Sequence, residues 1–433
     1  MRDFATSESA AVQAQLDRLG ALSLPQGRLG LDTIRALLAA LGDPHRSLPP
    51  TFHVAGTNGK GSTCAFLRAA IEAAGQRVHV FTSPHLVRYN ERIRVAGELI
   101  GDDALAALLA ETLDAAERVG LAPSFFEVTT AAALLSFARE PAEACVIEVG
   151  LGGRFDATNV LDHPAACGIA SLGIDHEAFL LAPEDGAPTD PIARIAFEKA
   201  GIVKPGVPLV TLAYPPAAEL EIERAAMVAG APLHMRGRDW DAATGDTIEY
   251  SDRHGALSLP LPVLPGAHQG ANAALAVALL RHQDRVSVPS EALAQAMRGA
   301  RWPARLQLLS SGPLRDLVGH REVWLDGGHN PDAGAAIARH FAGQKLHLVI
   351  GMLANKDPAA LIAPLADSIA SIQAVDVPGH EAHGPGAFGP QASAAADVAQ
   401  ALAALPDDGL PVLVAGSLYL AGEILRLNDE PPD

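Results

Sequence analysis

The stretch that decides the reading of this chain is "FHVAGTNGKGSTCAFLRAAIEAAG", residues 52–75. An apolar, strand-like run ends at Gly56. A short loop, Thr57-Asn58-Gly59-Lys60-Gly61, leads into an alanine-rich run of helical period from about Ser62. Backbone N–H groups at a helix start point at an anion, and glycine lets the backbone come close to it. Lys60 would reach β- and γ-phosphates, with Ser62 or Thr63 near them. The spelling departs from the common phosphate loop. The glycine required four spacers before Gly59 would fall at Val54, and Gly61 separates the lysine from the hydroxyl residue. On these residues alone the loop is either a phosphate cradle or a glycine-rich turn feeding a helix.

Outward from the loop, "TFHVAG", "RVHVFTS", "ACVIEVG" and "ACGIASLGIDH" read as buried strands of a parallel sheet with helices between them. Ser83, Glu148 and His176 stand at the ends of the last three, at the sheet's carboxyl edge, where an open α/β sheet binds its ligand. A hydroxyl, a carboxylate and an imidazole can hold one or two divalent ions beside phosphates. Each has a plainer reading as well: a turn before Pro84, a partner for an arginine, a strand cap. Four strand ends agreeing at one edge favour a metal–nucleotide site.

The segment "GAPLHMRGRDWDAATGDTIEYSDRHGALSLPLPVL" reads as a small hairpin-bearing excursion. "GARWPA" near residues 299–304 interrupts the pattern, and a second alternation follows with "EVWLDGGHN", "KLHLVIGML", "SIQAVDVPG" and "PVLVAGS" as strands. The expected division is a larger α/β domain over residues 1–298 and a smaller one over 299–433. The acidic, proline-rich "LAPEDGAPTDP" (181–191) reads as a surface loop.

The bulk numbers set limits. With 433 residues and 49% hydrophobic content the chain is expected to fold as two or three cored domains. A net charge of −18 argues against nucleic-acid binding, which needs a basic footprint, and means that anionic substrates would need local cations. Cys64, Cys145 and Cys167 show no metal spacing and read as reduced core residues. No apolar run reaches membrane length and the start does not read as a signal peptide, so a cytoplasmic protein without membrane association is expected. "NKDP" at 355–358 fails as a guanine-reading motif because Pro358 stands where aspartate belongs. "GLGGRF" at 150–155 fails as a dinucleotide loop because Phe155 replaces the third glycine.

The motifs "AGTNGKGS", "TSPHLVRYNERI", "FFEVTTAAAL", "EVGLGGRFDATN", "IDH", "EKAGIVKPG", "HQGANAALA", "RWPARLQ" and "LDGGHNPDA" occur in this order across residues 55–333. Together they resemble the bacterial bifunctional dihydrofolate synthase/folylpolyglutamate synthase family of the Mur-ligase superfamily. The resemblance implies an α/β fold: a P-loop-containing, mainly parallel sheet domain like the Mur-ligase central domain, binding ATP and pterin, then a smaller Rossmann-like α/β domain that binds glutamate and closes over ATP. It implies ATP-dependent amide ligation of L-glutamate to dihydropteroate, and to the γ-carboxylate of reduced folates, through an acyl phosphate. ATP, two Mg²⁺ ions and K⁺ are the implied cofactors, and a monomer the implied state.

Carried over residue by residue, the resemblance assigns the phosphate loop to Thr57, Asn58, Gly59, Lys60, Gly61 and Ser62, and magnesium to Ser83, Glu148 and His176. Lys199 matches a lysine carbamylated in many relatives; a carbamate offers the anionic oxygen that an ammonium lacks. Lys60, Lys199, Glu148 and His176 are the expected catalytic set. Asn272, Arg305, Asp326 and His329 match ATP-contacting positions, so that ATP would be clamped between the domains. Ser124, Phe126 and Phe155 are the pterin candidates, with Arg154 and Asp156 near the ligated carboxylate. "GRLGLDTIRALLAALGDP" (27–44) matches a substrate-side loop and helix. The 181–191 run is longer than in many relatives, and Gly328 replaces their alanine. The alternatives are folylpolyglutamate synthesis alone, a cell-wall Mur ligase, or a non-catalytic nucleotide module. The Mur ligase would need a UDP-sugar domain before Gly56, for which too little chain is present.

Overall fold

The parallel sheet expected around the loop is built from apolar strands too short to be stable unless covered on both faces. A computed structural model describes residues 6–22 and 30–432. It divides into two compact units. The first comprises residues 1–83, 89–263 and 270–301, and the second 84–88, 264–269 and 302–433. The main division thus falls at 301/302, three residues past the expected cut, and two short earlier segments count with the second unit.

In the first unit, β1 (Thr51–Ala55), β2 (Val78–Phe81), β3 (Ile93–Val95), β4 (Glu98–Leu99), β5 (Ala144–Glu148), β6 (Ala166–Ile169), β7 (Leu209–Thr211) and β8 (Leu233–Met235) form one sheet. Its order is β4-β3-β2-β5-β1-β6-β7-β8. Pairing is parallel from β2 to β8, and β3 and β4 add antiparallel at one edge. Every residue of β1, β2, β5 and β6 is buried, as runs without polar alternation require. The central strand β1 pairs with β5 on one side and β6 on the other, with Val54 opposite both Glu148 and Gly168. That register brings the ends of three strands to one level.

The excursion is an antiparallel three-stranded sheet, β9 (Trp240–Thr244), β10 (Thr247–Asp252) and β11 (Gly255–Pro260). In the second unit β12 (Gln307–Leu308), β13 (Val323–Asp326), β14 (Leu346–Ile350), β15 (Ile369–Ala374), β16 (Ala392–Ala394) and β17 (Val412–Ala415) take the order β12-β13-β17-β14-β15-β16. All pairs but β12–β13 are parallel. The three cysteines are buried and unbridged. Among the described residues no helix is long and apolar enough to cross a membrane.

Candidate active site

The helix after β1 runs Lys60–Ala73, two residues earlier than the sequence pattern indicates. Gly59 caps it at φ 81°, a left-handed conformation that a side chain disfavours. A Cβ there would also lie 2.3 Å from Asn272 Oδ1, so the buried Asn272 sits directly on the loop. The loop is stitched to the segment following β6. Thr57 N and Asn58 N donate to Ser171 O at 2.8 and 3.3 Å, and Thr57 Oγ1 donates to Gly173 O at 2.8 Å. Gly56, Thr57 and Lys60 line a small cleft with Val149, Gly150, Leu151, Gly152, Asp175, His176, Leu180 and Lys199. Lys60 Nζ donates to Thr57 O at 3.4 Å.

Two expected strand-end positions need correction. Ser83 lies two residues past β2, and His176 lies seven past β6. β6 stops at Ile169 because the chain is then taken up by bonds to the phosphate loop, far away in sequence, which follow no strand period. His176 is left at φ 53°, costing on the order of 1–2 kcal/mol for a non-glycine residue. Glu148 does end its strand and is buried, and its Oε2 accepts the Ser83 N–H at 3.3 Å. Among the described residues no group of three or more histidine, cysteine or acidic side chains is placed to hold a metal. Ser83 and Glu148 meet through the Ser83 N–H bond, while His176 lines the cleft with Asp175. A hydroxyl, a carboxylate and an imidazole suit a divalent ion sharing its shell with phosphate oxygens, and a buried carboxylate calls for such a compensating charge.

Lys199, near the end of the helix Pro191–Ala200, is buried and donates to Gly56 O at 2.9 Å. Burial, with Lys60 adding to it, brings its pKa down to about 7, while Asp175, Asp156 and Glu198 pull the other way. Its position is set by glycines. A Cβ on Gly153 would lie 2.9 Å from Lys199 O, and one on Gly201 would lie 2.4 Å from Arg154 Cβ. Arg154 is occupied by carboxylates of the chain itself, with Nη2 2.5 Å from Glu184 and 2.8 Å from Glu198, and it stacks over Phe155 at 4.3 Å. Asp156 accepts from Leu151 N and Thr158 N, and its burial raises its pKa against those bonds. The acidic run is therefore more than a surface loop: Glu184 is anchored.

Ser124 caps the helix Phe125–Arg139 in a reciprocal box with Glu127, donating to Glu127 Oε2 at 2.7 Å and accepting from its N–H. That accounts for its residue type by helix capping. Phe126 packs against Phe81 and so closely on Gly150 that a Cβ there would lie 2.5 Å from its ring. In the second unit Asp326 ends β13 and accepts from Leu306 N and Gly328 N at 2.8 and 2.7 Å. Burial raises its pKa while Arg305 opposes. Arg305 Nη1 donates to Ala304 O, and the His329 ring meets Gly327 O at 3.0 Å. Within that unit the three expected residues gather at one strand end. Of the 27–44 segment, residues 27–29 lie outside the described residues. Asp175, Leu180, Glu184 and Arg194 are missing from the sequence-based set; Asp175 carries a local signal beside His176 in "IDH", and Arg194 one as the i,i+4 partner of Glu198.

A helix start and a lysine that share a cleft with an imidazole can receive an anion, as phosphoryl transfer from a nucleotide requires. No family model matches the chain. The chain is 33% identical over 92% of its length to the dihydrofolate synthase/folylpolyglutamate synthase of Bacillus subtilis, covering 94% of that protein. It is 35% identical to a bifunctional folylpolyglutamate synthase/dihydropteroate synthase of Haloferax volcanii over 92% of its length, and spans about half (48%) of that longer protein. Among solved structures it is similar to E. coli FolC in complex with DHPP and ADP, with TM-score 0.84 and 32% identity over 96% of this chain and 97% of that one. A bifunctional folylpolyglutamate synthase/dihydrofolate synthase with Mn, AMPPNP and L-glutamate bound gives TM-score 0.82 and 30% identity over 98% and 99%. The chain belongs to the dihydrofolate synthase/folylpolyglutamate synthase family.

Proposed function

We propose that the protein is an ATP-dependent ligase that joins L-glutamate to dihydropteroate and to the γ-carboxylate of reduced folates. The observation that carries this reading is the gathering of the phosphate loop, Lys60, His176 and Lys199 around one cleft. The substrate carboxylate oxygen bonds to the γ-phosphorus as the bond to the β-phosphate oxygen breaks, giving an acyl phosphate and ADP. The glutamate nitrogen then attacks the acyl carbon, phosphate leaves, and the nitrogen loses a proton. Lys60 and the helix start offset the repulsion between carboxylate and triphosphate. Ser83, Glu148 and His176 are the residues that would hold divalent metal, which when bound neutralises phosphate charge. We also assign nucleotide contacts to Asn272, Arg305, Asp326 and His329, and pterin contacts to Phe126 and Phe155.

The deciding assay is ADP release from purified protein with ATP and Mg²⁺. Release should require glutamate together with dihydropteroate or tetrahydrofolate, each tested separately. Turnover with tetrahydrofolate only would reduce the protein to a folylpolyglutamate synthase, and ATP hydrolysis indifferent to both acceptors would remove the ligase reading.

Lys199 is assigned as a carbamate. A neutral amine attacks CO₂, forming the N–C bond and releasing a proton, and a pKa near 7 leaves about half of the buried amine neutral at neutral pH. With ¹³C-bicarbonate we expect one slowly exchanging carbamate resonance that grows from pH 6 to pH 8 and is missing in Lys199→Met. The sign for stability follows: the folded pKa lies below the unfolded value, so the unfolded state binds more protons between about pH 7 and 10.5, and stability gains with pH across that window in CO₂-free buffer. A wild-type spectrum without the resonance at either pH would leave Lys199 a plain amine.

A further inference from the structure

Between His176 and Lys199, two residues of the cleft wall, lies the acidic 181–191 segment, and one side chain of it is half-buried in a charge cluster. Glu184 meets Arg154 Nη2 at 2.5 Å and Arg194 Nη2 at 2.8 Å. Glu198 meets the same two arginines at 2.8 and 3.0 Å. The side chains are 17%, 23%, 7% and 8% exposed for Glu184, Arg154, Arg194 and Glu198. Two guanidinium and two carboxylate groups balance, which such burial demands. Arg194 does one thing more: its Nε donates to Leu180 O at 3.0 Å.

His176 sits in its left-handed conformation between two anchors. On its amino side, the Thr57–Gly173 bonds tie the chain to the phosphate loop, and His176 N donates to the adjacent Asp175 Oδ1. On its carboxyl side a four-residue helix, Glu177–Leu180, carries the chain to Leu180, where Arg194 takes hold. A strained residue persists only where its surroundings over-determine it. Resting on the reading that His176 serves the metal, we infer that Arg194, held in register by Glu184, is a positioning residue: it clasps the short helix and thereby fixes the His176 imidazole for a divalent ion. Without the Glu184 charge, two buried guanidiniums share Glu198 alone, and one must turn away. If it is Arg194, the bond to Leu180 O goes with it.

The test is titration of Mn²⁺ into the AMPPNP complex of Glu184→Gln, Glu184→Asp and His176→Ala, followed by calorimetry, with thermal unfolding of each variant alongside. Glu184→Gln, close in shape but uncharged, should bind Mn²⁺ about tenfold more weakly, and Glu184→Asp should recover most of the loss. Arg194→Lys, which keeps the charge and loses the fork, should match Glu184→Gln if the amide variant proves hard to fold. Mn²⁺ affinity within twofold of wild type in folded Glu184→Gln and Arg194→Lys, whatever their melting points, would overturn the inference and leave the cluster a matter of stability. Full Mn²⁺ affinity in His176→Ala would instead overturn the metal reading itself, so the two failures are distinguishable.

Discussion

Lys60→Ala is expected to lower the ligase kcat by about 10³-fold while leaving the melting temperature within a few degrees of wild type. Lys60 is the first residue of the phosphate-loop helix and lines the cleft, and its bond to Thr57 O is long at 3.4 Å, a weak hold for an ammonium that a triphosphate would attract. The protein carries a net charge of −18, so attraction for phosphate must be local. As the reacting carboxylate nears the γ-phosphoryl group, negative charge gathers where only fixed cations can answer it. A cation that acts more strongly on the transition state than on bound ATP changes kcat more than KM. A second effect runs the same way. Lys60 helps hold the Lys199 pKa down, so its removal lets Lys199 keep its proton to higher pH. The check is steady-state ADP release across pH 6–9, with ADP affinity measured separately. A kcat within tenfold of wild type would take the loop out of the chemistry.

How much of this was legible in the sequence depended on whether the deciding contacts are local. β1, β2 and β5 could be read because strands buried on both faces leave unbroken apolar runs, and Glu148 stands out as a carboxylate at the end of one. The run through "ACGIASLGIDH" misled because its second half, though strand-like in composition, is held by the phosphate loop and not by a neighbouring strand. Ser124, a pterin-side candidate by resemblance, also carries the S-x-x-E spacing of a capping box, which the structure forms with Glu127. Arg154 was placed with the substrate carboxylate. Its carboxylate partners are Glu184 and Glu198, 30 and 44 residues away, a pairing that no spacing announces. Arg194 is different: Glu198 follows it by four residues, a helical pair that the spacing does show, and Glu184 precedes it by ten. The ATP positions of the second unit came from family resemblance alone, because Arg305 and Asp326 carry no periodic or spacing signal of their own.

Glu148→Gln is expected to weaken Mn²⁺ binding to the nucleotide complex by about 10²-fold and to abolish measurable ligation. The substitution keeps shape and an acceptor, so the Ser83 N–H at 3.3 Å retains a partner and the strand end should hold. What changes is charge. Unit charges about 4 Å apart attract by roughly 4 kcal/mol at an effective dielectric near 20, and a divalent ion doubles that before its hydration is recovered. Even a third of it surviving corresponds to about 10² in affinity. The buried strand end gives water little access to make up the difference, since Glu148 is 4% exposed. The paired measurements are Mn²⁺ titration of the AMPPNP complex and thermal unfolding without metal. Mn²⁺ affinity near wild type in a folded Glu148→Gln protein would mean that the carboxylate serves the sheet edge and not the ion, and the donor set would have to be sought elsewhere along the cleft, beginning with Asp175.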